Sequence, residues 1–430
     1  MAKDKDQSPM TENDSPTTPI FRMDHGLEAW LQVLGSWILF ANTWGLTNSF
    51  GVFETYYATT LLPTSSPSAI AWIGSIQLFL TMVVGLPAGW IMDAGHLRLL
   101  LITGSFLEVF GMFMTSLCTK YWQFVLAQGV CVGIGSGLLG LPSVAVIPLF
   151  FSSKRMLATG IAATGSSLAG IVYPIMMRRL FVSIGFPWAV RALSFLMMGC
   201  LLMCCTIVRL RPRSPPRSGG PRIQLKTFRD RPFLFFTGAF TVMIASVYVP
   251  FFFVQEYALR LSVNKDMAFY LLSIMNATSL AGRIMSNWLA DRYGGINLMI
   301  PGCFSSAIVL FLFRFAAGQP GLIAVSAVYG FISGGMVSLP PATIANLTSD
   351  LSQLGTRLGL SYTVAAFGAL VGNPMAGAAR KDEGSRTDEA TIQKEYQGTW
   401  ILGGSLMLLA TGFLLIARSL KLRQKDGGKM

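Results

Sequence analysis

The chain has 430 residues, 52% of them hydrophobic and 12% charged, with a mean hydropathy of +0.55. Globular chains carry roughly 25% charged residues, and a helix needs about 20 largely apolar residues to cross about 30 Å of hydrocarbon, so this is an integral membrane protein with room for about a dozen crossings. A large extramembrane catalytic domain is excluded, and the net charge of +13 sits beside apolar runs, where basic residues orient a membrane chain rather than bind nucleic acid.

Met1 to Asp24 is rich in Asp, Ser, Thr and Pro without an apolar run, so residues 1–30 are expected to form a disordered cytosolic tail and not a cleaved signal. Twelve apolar spans follow, at 31–53, 70–92, 97–117, 122–150, 157–180, 186–208, 233–255, 268–290, 297–317, 320–345, 357–379 and 399–418. The fourth and tenth exceed one crossing, which predicts tilt or an included turn. Residues 209–232, rich in Arg, Pro and Gly with Asp230 as an acid, read as a cytosolic linker between halves 31–208 and 233–418, and 419–430 as a second tail. The excess of Lys and Arg on alternate loops places both termini and the linker in the cytosol. The six cysteines lie in or beside apolar runs without metal-ligand spacing, and with His25 and His96 the only histidines, no metal site or cofactor is expected.

The halves repeat. Asp93 and Asp291 are 198 positions apart, and at the same offset Gly137-x-x-x-Leu141-Pro142 returns as Gly335-x-x-x-Leu339-Pro340. The expected fold is therefore all-α, twelve transmembrane helices in two six-helix repeats, with a small-molecule site at their interface near mid-membrane, exposed alternately to either side. No Gly-x-x-x-x-Gly-Lys loop is present to couple ATP directly.

Gly89-x-x-x-Asp93-Ala94-Gly95, followed by Arg98, and Asn287-x-x-x-Asp291-Arg292-Tyr293-Gly294 resemble the turn after the second helix of each half in the major facilitator superfamily. The first copy lacks the adjacent arginine and shifts its second glycine; the second has Asn in the first glycine position. Asp24-His25-Gly26 through Trp30, Trp44-Gly45-Leu46-x-Asn48-Ser49-Phe50-Gly51, and Arg155-x-x-Ala158-x-Gly160 with Gly165-Ser166-Ser167-x-x-Gly170 and Pro174 resemble the monocarboxylate porter family, particularly its fungal members. The resemblance implies a major facilitator fold and a secondary active transporter. Asp93, Arg98, Asp291 and Arg292 are assigned to gating, because a carboxylate at one helix mouth can meet a cation or a neighbouring helix N-terminus; the bland alternative is an acid turning a solvated loop. Gly160, Gly165, Gly170 and Pro174 join the gating set as close-approach and kink positions, or else serve static packing.

A cation in the eighth span costs at least about 2.5–3.5 kcal/mol unless paired or wet, so Arg283 should face the cavity; the alternative is snorkelling to the cytosolic face. The resemblance implies that Arg283 takes a substrate carboxylate. It also implies an acid one turn earlier and a lysine on the first helix, where this chain has Ser279 and Asn48, so lactate-type proton coupling is missing two elements. Asn48, Asn276 and Ser279 are expected to hydrogen-bond the substrate, and Trp44, Tyr173 and Tyr362 to stack on it. Glu108 and then Glu54 are the alternative proton sites. An aromatic cavity with one cation suits an amphipathic organic anion better than a sugar.

Efflux of a secondary metabolite is the expected function, with proton-coupled monocarboxylate uptake as the alternative. A non-transporting membrane sensor is the reading of another class, and a membrane enzyme lacks any clustered nucleophile and base. The expected location is the plasma membrane, with a vacuolar membrane as the alternative.

Overall fold

The computed structural model describes residues 26–210, 230–316, 318–348, 350–380 and 388–427; most of the expected tail and linker lie outside these residues. The described residues form helices and connecting turns, with no strand. Twelve rods follow the expected spans: α1 (27–61), α2 (Ala69–Asp93), α3 (Leu97–Thr115), α4 (Tyr121–Phe150), α5 (Arg155–Ser183), α6 (Gly185–Ile207), α7 (Arg231–Arg260), α8 (Lys265–Tyr293), α9 (Gly295–Phe313), α10 (Gly318–Leu347), α11 (Leu351–Ala378) and α12 (Glu389–Gln424). Ten are long and apolar enough to cross a membrane; α1 is interrupted along its length and α8 carries Asn276, Arg283 and Asn287.

The interruptions recur with the repeat. α1 breaks at Ser49 (φ −92°, ψ 0°) and α7 at Tyr248 (φ −88°, ψ −9°), 199 residues later. In α7 the cause is Pro250 at the start of the next segment, which supplies no N–H to the preceding turn. The two signature turns are equivalent as well. Gly95 and Gly294 both hold positive φ, 88° and 89°, a conformation that costs little without a Cβ, so the glycine shift seen in sequence preserves the same turn.

Several boundaries differ from the sequence reading: residues 27–30 and 419–427, assigned to the tails, are helical, α11 starts at Leu351, and two ends shift further. α1 continues past residue 53 to Leu61, ending in a π-helical turn, Tyr57–Leu61. α12 begins at Glu389 and not near 399, because Glu395 is buried in ion pairs with Arg260 (2.6 Å) and Arg380 (2.8 Å), and those partners turn a polar stretch into packed helix. The long α4 contains a π-helical stretch, Val125–Val132, and α10 is one continuous helix.

Since α1 starts at the end of the molecule that carries the linker, each odd helix leaves this linker face and each even helix returns to it. The halves meet along two seams, α5 against α8 and α2 against α11.

Candidate substrate-binding site

Arg283 lies on the α5/α8 seam and is 4% exposed. Its Nη1 donates to the Ala163 carbonyl at 2.8 Å and to the Ser166 hydroxyl at 2.9 Å, both on α5. Nε donates to Ser279 Oγ, 3.3 Å away and one turn earlier on α8. The side chain is thus turned inward across the seam, not along α8 to the linker face. These acceptors are neutral, and no ion pair engages Arg283 among the described residues. A desolvated guanidinium satisfied only by dipoles can accept the counter-charge of an anion.

Around it closes a cavity of about 20 Å³, room for about one water. Its walls come from both halves: Phe40, Trp44 and Asn48 of α1, Ser166 of α5, Phe240 and Tyr248 of α7, Arg283, and Tyr362 of α11. Trp44 stands in a π-helical turn, Ala41–Gly45, whose extra residue rotates the helix face, a feature frequent at functional sites. Its ring lies 6.1 Å from that of Tyr362, which meets Phe240 edge-on at 5.3 Å.

Beyond this neck a second cavity of about 380 Å³ lies on the side away from the linker face, lined by Thr47, Glu54 and Thr55 of α1 and by Phe251, Gln255 and Glu256 of α7. Asn48 and Tyr248 line both cavities and so form the constriction between them.

The residues nominated from sequence divide accordingly. Arg283, Asn48, Trp44 and Tyr362 converge on the central cavity. Ser279 stands behind Arg283 and accepts also from Ser167 (3.3 Å), so it holds the guanidinium rather than lining the space. Asn276 is buried in the seam, donates to the Leu272 carbonyl (3.0 Å) and packs against Gly170. Tyr173 belongs to the first half's buried core with Phe53, Tyr57 and Phe181 and lines neither cavity. Glu108 is fully buried between α3 and α4, accepts from Ser136 Oγ (2.7 Å), and lines neither cavity; its Oε2 has no partner among the described residues. Of the two nominated acids, Glu54 is the one that meets a cavity.

The linker face is closed by two matching carboxylate caps. Asp93, ending α2, accepts from the N–H groups of Gly355 (2.9 Å) and Thr356 (2.7 Å) and from the Thr356 hydroxyl (2.7 Å), at the start of α11. Asp291, near the end of α8, accepts from the N–H groups of Met156 (2.8 Å) and Leu157 (2.9 Å), at the start of α5. Each carboxylate thus satisfies orphan donors of a helix in the opposite half and meets the positive end of its dipole. Arg155 adds a bond to Asn346 of α10 (2.9 Å). Arg98 is exposed and makes no hydrogen bond or ion pair among the described residues, and Arg292 stacks over Trp288 of its own helix at 4.0 Å; neither reaches the other half.

Glycines set the seam spacing. Gly160 and Gly170 face Asn287 and Asn276 of α8, whereas Gly165 packs on the Trp37 carbonyl of α1, within its own half. α5 runs unbroken through Pro174, so the expected kink there is not an interruption of the helix. Sequence reading missed Ser166, Tyr248 and Phe240, and also the α2/α11 crossing, where Gly85 and Gly89 meet Gly359 and Gly355 backbone to backbone. Ser166 stood inside the Gly165-Ser166-Ser167 motif, and Tyr248 could have been found as the repeat mate of Phe50, next to the break in α1.

The profile of the Major Facilitator Superfamily matches residues 29–373 and 261–429. The chain belongs to this superfamily. It is 39% identical over 391 residues to the MFS-type transporter dbaD of Emericella nidulans, covering 91% of this chain and 86% of that one. It is 34% identical to the agnestins efflux protein AgnL12 of Paecilomyces divaricatus, covering 90% and 87%. In fold it is similar to the major facilitator transporter FucP in the outward conformation, with a TM-score of 0.69 at 16% identity over 90% of this chain and 98% of that one. It is a membrane transporter, and the site between its halves is read in those terms below.

Proposed function

We propose that this transporter exports an amphipathic organic anion, a product of secondary metabolism, by alternating access between its two halves. The observation that carries the reading is Arg283, buried without a counter-ion at the wall of an aromatic cavity to which both halves contribute. The name of AgnL12 as an agnestins efflux protein supports the direction and the substrate class. The linker face is the cytosolic one in this reading, which the excess of Lys and Arg on that side supports. The structure is then closed to the cytosol by Asp93 and Asp291 and accessible from outside through the larger cavity. Asp93 and Asp291 act as gates that part when the halves rock, and the plasma membrane is the site of action.

Proton-coupled monocarboxylate uptake, and membership of the monocarboxylate porter family, would be favoured by Arg283 taken alone. Ser279 and Asn48, both neutral at the positions where the resemblance implies an acid and a lysine, tell against that chemistry.

The test uses proteoliposomes containing only this chain, loaded with the acidic fraction of a fungal secondary-metabolite extract. Mass spectrometry should find anionic aromatic compounds released by the wild type and retained by Arg283→Gln. Release of neutral compounds alone, or equal release by the variant, refutes the reading.

A further inference from the structure

A guanidinium has five N–H donors in one plane. In Arg283, Nε is given to Ser279 and the two hydrogens of Nη1 to Ala163 and Ser166. Nη2 donates to no atom among the described residues, although Arg283 lines the central cavity. Arginine grips a carboxylate best through two parallel N–H bonds, from Nη2 together with either Nη1 or Nε. Here both forks are spoiled, because Nη2 is the free prong and each possible second prong is already engaged by protein. Ser166 offers no replacement donor, since its hydroxyl is itself donated to the Ala163 carbonyl at 3.0 Å.

From this count we infer that the site selects a single oxygen anion carried directly on a flat ring, a phenolate or ring enolate, over a carboxylate. The inference rests on the anion reading above and narrows it. A carboxylate bound through Nη2 alone engages one of its two charged oxygens with the cation and leaves the other to neutral groups of the wall such as Asn48 and Tyr248. A ring oxyanion needs one donor, and once the halves part enough to widen the cavity its ring lies among Trp44, Phe240 and Tyr362. Ser166, which lines the cavity, is a positioning residue in this scheme: it fixes the guanidinium by occupying one Nη1 hydrogen.

Three coumarins of nearly equal shape test it: 4-hydroxycoumarin, a ring enolate at neutral pH; coumarin-3-carboxylate, a carboxylate; and neutral coumarin. Calorimetric titration into the full chain in lipid nanodiscs should show the enolate binding about ten-fold or more tighter than the carboxylate, with both anions lost in Arg283→Gln. Ser166→Ala, with its folding checked by thermal melting, returns one Nη1 prong and should shrink that gap to about three-fold or less by improving the carboxylate. A purely structural serine would weaken both anions together.

Carboxylate binding equal to or tighter than enolate binding, with both still dependent on Arg283, overturns the inference and leaves the anion reading standing. Anions that bind no better than neutral coumarin, or that ignore Arg283→Gln, overturn both. An unchanged gap in Ser166→Ala removes Ser166 as the discriminating residue.

Discussion

The guanidinium of Arg283 on α8 donates to the hydroxyl of Ser166 on α5, 2.9 Å away across the seam between the halves. The cation is therefore at once the cavity's charge and a tie between the helices that must separate for transport. A ligand that draws Arg283 toward the cavity also loosens that tie. On the proposed reading, a bound anion loses its partner in Arg283→Gln, and truncating one member of a buried charge pair costs about 2–5 kcal/mol, so transport should fall about 100-fold or more with unchanged membrane expression. Arg283→Lys keeps the charge but lacks the planar donor set and should recover part of the rate. Initial rates in proteoliposomes decide, and a Gln variant within two-fold of wild type contradicts the assignment.

Asp93 and Asp291 each stabilise the closed linker face by capping a helix of the other half. Removing the charge while keeping the shape, in Asp93→Asn or Asp291→Asn, should weaken closure by about 1 kcal/mol each, a shift of about five-fold toward the form open on the linker face. Spin labels at Arg98 and Tyr293, both exposed on that face, would read the change as a longer distance population. Asp266 pairs with Arg178 across the opposite ends of α5 and α8 at 2.6 Å, but both side chains are largely exposed. Asp266→Asn should consequently leave the distribution within about two-fold.

The α2/α11 crossing tolerates no added methyl at Gly89 or Gly359. A Cβ at Gly89 would collide with the Gly355 carbonyl, and one at Gly359 with the Gly85 carbonyl, while one at Gly199 meets nothing within 4 Å. Gly89→Ala should therefore cost about 1–3 kcal/mol and open the linker face, whereas Gly199→Ala, in a helix interior, should be neutral or slightly stabilising. Thermal melting together with the same spin-label pair separates a loosened seam from general unfolding.

Glu108 is held against Ser136 in the interior of the first half, out of reach of both cavities. Glu108→Gln retains an acceptor for the Ser136 hydroxyl, so transport and its pH profile should remain as in the wild type. A lost or displaced pH dependence in that variant would place a proton path through α3 and α4. Glu54, at the wall of the outer cavity, is the position where Glu→Gln is expected to alter any pH dependence that exists.

Much of this molecule is written along the chain. Hydrophobic runs long enough to cross a bilayer fix the helices, and the shared offset that relates Asp93 to Asp291 fixes the two halves, because both are one-dimensional patterns. The isolated charge of Arg283 and the aromatic residues Trp44 and Tyr362 were legible for the same reason: a polar or ring-bearing residue inside an apolar span stands out wherever the span is placed.

What the tertiary structure alone decided is which side of each helix meets the cavity and which residues share it. In a bilayer the lipid is as apolar as the protein interior, so no amphipathic stripe tells the buried face from the lipid face. Tyr173 and Glu108 therefore read as well as Tyr362 and Glu54, yet the helix rotations turn the first pair into the core of one half and the second toward the space between halves. Two of the three partners of Arg283, Ala163 and Ser166, likewise lie on α5, more than a hundred residues away, and only the docking of one half on the other brings the guanidinium to them at the cavity wall.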